Sequence, residues 1–564
     1  MKPGILPIRR ALISVSEKSN LKDLASFLEG RGVEIVSTGG TASYLKKEGL
    51  KVKEVSDLTG FPEILNGRVK TLHPKVHAPI LFDRDDPVSV QELKKMGSKA
   101  IDLIVVNLYP FETILKSKAP RKDIIENIDI GGVALMRAAA KNFEHVMVIS
   151  DPGDYVELKN ELTNFKGCTR QKTRKFFAGK AFSQTSYYDQ LITGWFLSKK
   201  QLGSINSRVF GGTAKKALRY GENPHQKALY LHNSDQERKT NNILNISKGT
   251  LSYNNLIDAT AAYKILCEME DYKKASCVII KHGNPCGVAI DNNLSAAYKK
   301  ALETDPVSAF GGIVGINKQV DEKLAKKISS IFTEVIIAKS FSPKAHKILS
   351  LKKNIKIVEI RRFDGTLLDE EEIRSVMGGY LVQETSFSKA NHEELEVVTK
   401  RKPSKGELNN LIFLWKIVKH VKSNAIVVGN NFSVTGIGAG QTNRVGSVKL
   451  AINNLKKIEK TDKKNHRVVF NGMASDAFFP FPDSIKMASR NGISCIIQPG
   501  GSINDSDVVS AANKLNIAMV FYKETTVQSL NMGLDSAAKS MGTPSLTGNF
   551  ILATLDIRQF SFSS

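Results

Sequence analysis

Short apolar runs rich in β-branched residues alternate with longer stretches of helical spacing along most of this chain. Ala11–Val15, Val33–Val36 and Ile101–Val106 have strand length, and each gives way at once to Ser or Asn. Helical spacing follows from about Ser19 to Glu29, from the Gly39-Gly40-Thr41 turn to about Lys47, and over Val133–Lys141. Strand and helix therefore alternate, the order expected of a parallel sheet covered on both faces. Residues 170–200 predict one long helix, whose Phe176, Phe177, Phe182, Tyr187 and Trp195 are expected to pack between domains. Gly, Ser and Asn cluster within 201–212, a predicted linker. Beyond it, Val278–Ile280, Val335–Ala338 and Ala425–Val428 predict further buried strands, and no short-period repeat is visible.

The run at Val278–Ile280 stops abruptly at Lys281 and His282, and Gly283, Asn284 and Pro285 then turn the chain. Open α/β sheets bind ligands where strands end, so the pair is placed for chemistry. A histidine exchanges a proton near neutral pH, and an adjacent lysine can tune or relay it. The plain alternative is a capped strand end with a solvated lysine.

Nearer the start, Ser14-Val15-Ser16-Glu17-Lys18 and Ser37-Thr38-Gly39-Gly40-Thr41 are strand-to-helix turns. Bare N–H groups and the positive end of a helix dipole suit a phosphate there, although simple helix capping explains them equally well. Residues 66–77 are poorly periodic and dense in cations, and Arg68, Lys70 and Thr71 suit a loop that grips an anionic substrate. His73 and His77 lie four apart, but Pro74 argues against a regular helix placing them on one face, so no metal site is expected. Asp129, ahead of Gly131-Gly132, reads either as a cap or as an acid–base group, and its pairing with Arg68 and Lys70 decides between them. Arg137 and Lys141 share a helix face.

At 564 residues the chain is too long for one core. No apolar stretch is long enough to span a bilayer, and Met1–Arg10 lacks the apolar segment of a secretory signal. The five cysteines are odd in number and not spaced as metal knuckles, which predicts a reducing, cytoplasmic setting. The net charge of +25 is spread along the chain, often as lysine pairs such as Lys46-Lys47 and Lys326-Lys327. With no nucleic-acid-binding module in the sequence, this reads as diffuse surface charge that attracts small anionic substrates.

Taken in order, Ser14-Val15-Ser16, Ser37–Thr41, Arg68–Pro74, Asn107-Leu108-Tyr109-Pro110-Phe111, Ile128–Gly132 and Arg137–Lys141 resemble the cyclohydrolase half of the bifunctional AICAR transformylase/IMP cyclohydrolase family. Leu218–Gln226, Lys281-His282, Asp305–Gly312, Ser423-Asn424, Gly436–Arg444, Ser475–Pro480 and Gln498–Ser502 resemble its transformylase half. The resemblance covers roughly residues 9–521. It implies an α/β fold, with a methylglyoxal-synthase-like doubly wound domain over 1–200. The linker 201–212 leads to a larger α/β transformylase region over 213–525, made of cytidine-deaminase-like subdomains, and then to an atypical tail, 526–564.

The same resemblance implies formyl transfer from 10-formyltetrahydrofolate to AICAR, followed by closure of FAICAR to IMP. It carries the base role to His282 with Lys281 assisting, orientation of the formyl group to Asn424, and substrate contacts to Arg219, Tyr220 and Arg444. For ring closure it makes Lys70, Tyr109, Asp129 and Lys141 the acid–base and oxyanion candidates. Ser14, Ser16, Lys18, Ser37, Thr38, Gly39, Gly40, Thr41, Arg68, Thr71 and Asn107 would hold that substrate. It implies no metal, and a cytoplasmic homodimer whose transformylase sites use both chains, with no nucleic-acid or membrane partner.

One departure stands out. An arginine that the family pattern places after Phe521, to hold the substrate phosphate, is here Thr525, and the chain runs on to Ser564 in polar sequence. A cyclohydrolase-only protein with an impaired transformylase site is therefore one alternative. A sensor domain that binds a phosphorylated effector without turnover, a basic nucleic-acid-binding protein and an inactive scaffold are the others.

Overall fold

A computed structural model describes residues 4–197, 207–232, 243–368, 371–385, 394–461 and 471–523, so 201–206 of the predicted linker, Thr525 and the tail 526–564 lie outside the described residues. The chain forms two compact units, the first centred on Met1–Ala214 and the second on the sequence after it.

The first unit has a five-stranded sheet in the spatial order Val52–Glu54, Glu34–Ser37, Arg10–Val15, Leu103–Asn107, Met147–Ile149. Every pairing in it is parallel. From Arg10–Val15 the chain winds outwards to one side and then returns to continue on the other. The reversal falls between Arg10–Val15 and Leu103–Asn107, and the loops leaving these two strands part there to open a crevice. Helix Leu21–Glu29 buries Leu21, Leu24, Ala25 and Leu28 along one stripe, and Gly131–Lys141 likewise buries Leu135, Met136 and Ala138–Ala140. This is the doubly wound arrangement expected from the alternating pattern.

Two local expectations change. Pro74 does not prevent a helix: Pro74–Leu81 is helical with the proline in its first position, where a backbone N–H has no helical partner to lose. His73 caps that helix, its Nδ1 accepting the Lys75 N–H at 3.1 Å. The long helix runs over Gln171–Phe196, and its buried Phe177 belongs to the core of the first unit. Trp195 meets the Phe111 ring edge-on at 6.4 Å, so these two aromatics pack within the unit.

The second unit is built on a 12-stranded sheet whose halves repeat one plan. The first half runs Leu244–Lys248, helix Tyr253–Met269, hairpin Ala275–Lys281 and Asn284–Asp291, and helix Leu294–Thr304. Strands Gly312–Val320, Thr333–Phe341 and Lys356–Ile360 then follow with helices between them. The second half runs Leu395–Val397, helix Lys405–Val418, hairpin Ile426–Asn430 and Ser433–Gly438, and helix Arg444–Thr461. Strands Asn471–Ser475, Ile493–Gln498 and Ala518–Tyr522 complete it.

In each half the last three strands are parallel and the opening strand pairs antiparallel with the last. The halves join through the second strands of the two hairpins, Ala289 opposite Ser433. Even the close approach of helix to hairpin recurs. A Cβ on Gly287 would lie 1.8 Å from the Ala301 carbonyl oxygen, and one on Gly436 would lie 2.1 Å from that of Ala451. Both glycines are the fourth residue of their strand, and both are fixed by this contact. The repeat is too long and too diverged to register as a short period.

Candidate active sites

A cleft of about 680 Å³ opens at the reversal point of the five-stranded sheet. Ser14, Ser16, Lys18, Thr38, Gly40 and Thr41 line one side, and Arg68, Lys70, Thr71, Asn107, Tyr109 and Asp129 complete it. Helices Gly39–Lys47 and Gly131–Lys141 begin at its wall, so two positive dipole ends favour an anion there. Asn107 Oδ1 accepts the N–H groups of Ser16 and Glu17 at 2.6 and 3.0 Å, and its Nδ2 donates to the Glu17 carbonyl at 2.9 Å. Thr41 Oγ1 accepts the Val15 N–H and donates to the Val15 carbonyl. Both side chains therefore shape the Ser14–Lys18 loop, and Asn107, expected at substrate, is committed to that backbone.

Asp129 turns out to be a cap, and a buried one. Its carboxylate accepts the Gly132 N–H at 2.7 Å and the Tyr109 N–H at 3.3 Å. A Cβ on Gly132 would lie 2.5 Å from Asp129 Oδ2, so only glycine lets the carboxylate approach this closely. Burial pushes the Asp129 carboxyl above the usual aspartate value, while the two N–H groups and the Lys70 charge pull it back. Cap and charge partner thus coincide in one residue.

Its backbone is held by a group that the sequence reading passed over. The Asp129 N–H donates to the Tyr188 hydroxyl at 2.8 Å, and that hydroxyl donates to the Asn127 carbonyl at 2.9 Å. Phe177, Ala181, Thr185 and Tyr188 are buried on one face of the long helix, a spacing that could have singled out Tyr188 instead of Tyr187. Tyr188→Phe is expected to strand a buried N–H and to cost about 1–3 kcal/mol of stability, read from a melting curve.

Three expected site groups are placed otherwise, and a fourth reaches the cleft already engaged. Ser37 is fully buried and its hydroxyl donates to the Ile13 carbonyl at 2.6 Å. Gly39, at φ +36°, does not line the cleft; the Glu63 carboxylate lies 3.1 Å from where its Cβ would be. Arg68 lines the cleft but is ion-paired with Glu126. Lys141 ends the helix that Gly131 begins, about 15 Å away along its axis. It lines a separate cavity with His77, Arg137 and Lys175, so it does not join Lys70 and Asp129.

In the second unit, Lys281 and His282 sit at the tip of a hairpin and not at a strand-to-helix crossover. Lys281 pairs with Asn284, and His282-Gly283 form the two-residue turn with φ of 52° and 73°. Two left-handed residues give the turn whose twist matches that of the strands. His282 is exposed. Lys281 Nζ donates to the carbonyls of Phe310 and Gly311 at 3.0 and 3.1 Å. Asn284 Oδ1 accepts the Lys422 N–H at 3.0 Å, which ties the turn to the Lys422–Asn424 loop. Asn424 Nδ2 donates to the Gln441 carbonyl at 2.8 Å.

The Arg219-Tyr220 loop reaches the same region through helix Tyr253–Met269. Asn254 Nδ2 donates to the Glu222 carbonyl at 3.1 Å, and one turn further on Asp258 Oδ1 accepts the Gly283 N–H at 2.6 Å. Arg219 lies over the Tyr220 ring at 5.6 Å. Arg444 is 7 % exposed and bonds to the Ala425 carbonyl and to Asp476. Those contacts fasten the start of the second hairpin and do not offer the guanidinium to solvent.

Known proteins are similar to this chain over most of its length. A family model described as MGS-like domain matches residues 20–134, and one described as AICARFT/IMPCHase bienzyme matches residues 139–454. The bifunctional purine biosynthesis protein PurH of Mesorhizobium japonicum is 45 % identical over 520 residues, 92 % of this chain and 97 % of that protein. PurH of Thermoanaerobacter sp. is 44 % identical over 91 % of this chain and 98 % of its own length. PurH of Caldicellulosiruptor bescii is 46 % identical with the same two coverages. The solved structure of ForH, 34 % identical, covers 34 % of this chain and 100 % of its own at a TM-score of 0.30. Because the PurH relatives align across both units, the bifunctional reading stands over the cyclohydrolase-only one. The chain belongs to the AICARFT/IMPCHase bienzyme family and is a bifunctional enzyme of purine biosynthesis.

Proposed function

We propose that formyl transfer from 10-formyltetrahydrofolate to the exocyclic amine of AICAR takes place at the Lys281-His282 turn. FAICAR then closes to IMP, losing water, in the cleft that holds Lys70 and Asp129. The observation that carries this reading is the convergence, in each unit, of one proton-handling group with cationic and amide groups: Asp129 with Lys70, and His282 with Lys281 and the Asn424 loop. The aminoimidazole nitrogen is a poor nucleophile because the ring carboxamide withdraws its electrons. Its attack needs a base, a stabilised tetrahedral oxyanion and alignment of two substrates. The exposed imidazole of His282 suits the base. Beside Lys281, the exposed Phe310 and Phe332 rings lie 5.4 Å apart and are inclined at 55°, an apolar corner against which one face of a folate heterocycle can pack.

Ring closure requires the carboxamide nitrogen to lose a proton as it attacks the formyl carbon, and the departing oxygen to gain one. Asp129 and Tyr109 are the proton carriers in this reading, with Lys70 facing the developing negative charge. Ser16, Lys18, Thr38 and Gly40 hold the phosphate, and Arg68 joins them by exchanging its Glu126 partner for it. Neither step calls on a metal. Residues 1–200 form the cyclohydrolase domain and 213–525 the transformylase domain, and the enzyme works as a cytoplasmic homodimer. No helix among the described residues is long and apolar enough to cross a membrane.

The two steps are separable by ultraviolet absorbance, with AICAR plus formyl donor for the first and FAICAR alone for the second. Lys70→Ala is expected to lower ring closure by about 100-fold or more and leave formyl transfer within two-fold. Unchanged ring closure in that variant would remove the cleft from the reaction.

A further inference from the structure

We propose that Asp258 is a positioning residue for formyl transfer, its fixed negative charge supporting the His282 imidazole as that ring takes up the amine proton. The inference rests on reading His282 as the base, and the internal repeat supplies its evidence. In each half the sixth residue of the first helix reaches the hairpin turn: Asp258 in Tyr253–Met269 and Asn410 in Lys405–Val418. Asp258 Oδ1 accepts the Gly283 N–H at 2.6 Å, and Asn410 Oδ1 accepts the Phe432 N–H at 3.3 Å. Gly283 and Phe432 are both the second residue of a two-residue turn, and both turns are left-handed throughout, with φ of 46° and 58° at Asn431 and Phe432. Holding this turn therefore needs an acceptor oxygen and no charge, since a carboxamide serves in the second half.

A carboxylate in the same place carries a cost that the clamp does not require. Burial pushes the Asp258 carboxyl above its usual value, and the N–H groups of the turn and His282 draw it back. The two turns differ in what they bear. The second carries Phe432, packed on Tyr272 and Phe413 with ring centroids 5.5 and 5.8 Å away, and has a neutral clamp. The first carries an exposed histidine, and its clamp is charged. Charge and histidine go together. As the amine nitrogen bonds to the formyl carbon, its proton passes to the imidazole, which becomes cationic; the bond from the formyl carbon to N10 of the folate then breaks, and the imidazolium returns the proton to that departing nitrogen. An anion already fixed beside the ring favours that state without reorganising.

Asp258→Asn installs the residue that the second half uses, in the full-length enzyme, and three chains decide the matter: Asp258→Asn, His282→Ala and the double variant. Asp258→Asn is expected to keep its melting temperature and its ring closure and to hold KM for AICAR within two-fold. Its kcat for formyl transfer should fall about 10- to 100-fold. In the His282→Ala background the same change should cost nothing further, because the charge acts through the ring. Full formyl transfer in His282→Ala would remove the base reading itself. A dead His282→Ala beside an Asp258→Asn of unchanged kcat would overturn the role of Asp258 alone, as would an equal loss with and without His282. Should Asp258→Asn prove unstable, Asp258→Glu keeps the charge and must recover part of kcat; equal loss in both variants overturns the proposal.

Discussion

His282→Ala is expected to abolish formyl transfer, with a loss of about 100- to 10,000-fold in kcat, and to leave conversion of FAICAR to IMP unchanged. The side chain is exposed at a hairpin tip and fills no core, so the loss should come without unfolding. The backbone is the complication. At φ 52° an alanine is disfavoured by roughly 1–2 kcal/mol, whereas asparagine tolerates the left-handed region. His282→Asn therefore separates chemistry from conformation: it should be as inactive in formyl transfer and melt at the wild-type temperature. Formyl transfer at the normal rate in His282→Asn would show that the imidazole does not carry the proton. The clamps on Lys281, Asn284 and Gly283 hold the turn in either variant.

Asp129→Asn should separate activity from stability in the opposite sense. Ring closure is expected to fall by about 100-fold or more, because an amide cannot exchange the proton. Stability should hold or rise at neutral pH. Burial raises the folded-state value of this carboxyl above its ordinary 3.8, so ionising it costs more in the folded chain than in the unfolded one. Its favourable contribution is complete below that ordinary value and is lost as pH climbs through the raised one. Asparagine carries no such penalty, and its side-chain oxygen can still accept the Gly132 N–H. Melting curves should therefore place Asp129→Asn at or above the wild type at pH 7, with the gap closing towards pH 3. A variant that melts lower at pH 7 than at pH 4 relative to the wild type would reverse the assigned sign, and one that closes the ring normally would clear Asp129 of the chemistry.

The two centres differ in how far they could be read without coordinates. Ser16, Lys18, Thr38 and Gly40 were legible because strand-to-helix turns carry their own residue signature, and all four line the cleft. Ser37 and Arg444 belong to the same kinds of motif yet point inwards, to Ile13 and to Asp476. Nothing in their neighbours along the chain distinguishes them from the exposed members of the set. Lys141 was placed with Asp129 through the resemblance, but ten residues of intact helix hold its Cα well away from the cleft. Asp258 and Tyr188 escaped notice for the converse reason, since each is an ordinary helical residue until its partner, 25 or 59 positions away, is known.

By itself the sequence determined the alternation of strand and helix, the loops that open the five-stranded sheet and the tight turn at His282. Each of these depends on side chains and backbone within a few residues of one another. Tertiary structure alone decided which polar groups remain available. Asn107 is turned onto a loop 91 residues distant, and Asp129 is buried beneath a tyrosine from another helix. It also decided that two stretches unlike in sequence share one plan, because a sheet fixes where its strands pair and tolerates wide variation in what they carry. Burial and hydrogen-bond partnership belong to the folded chain, and on them rests the difference between a residue that holds the fold and one that can act.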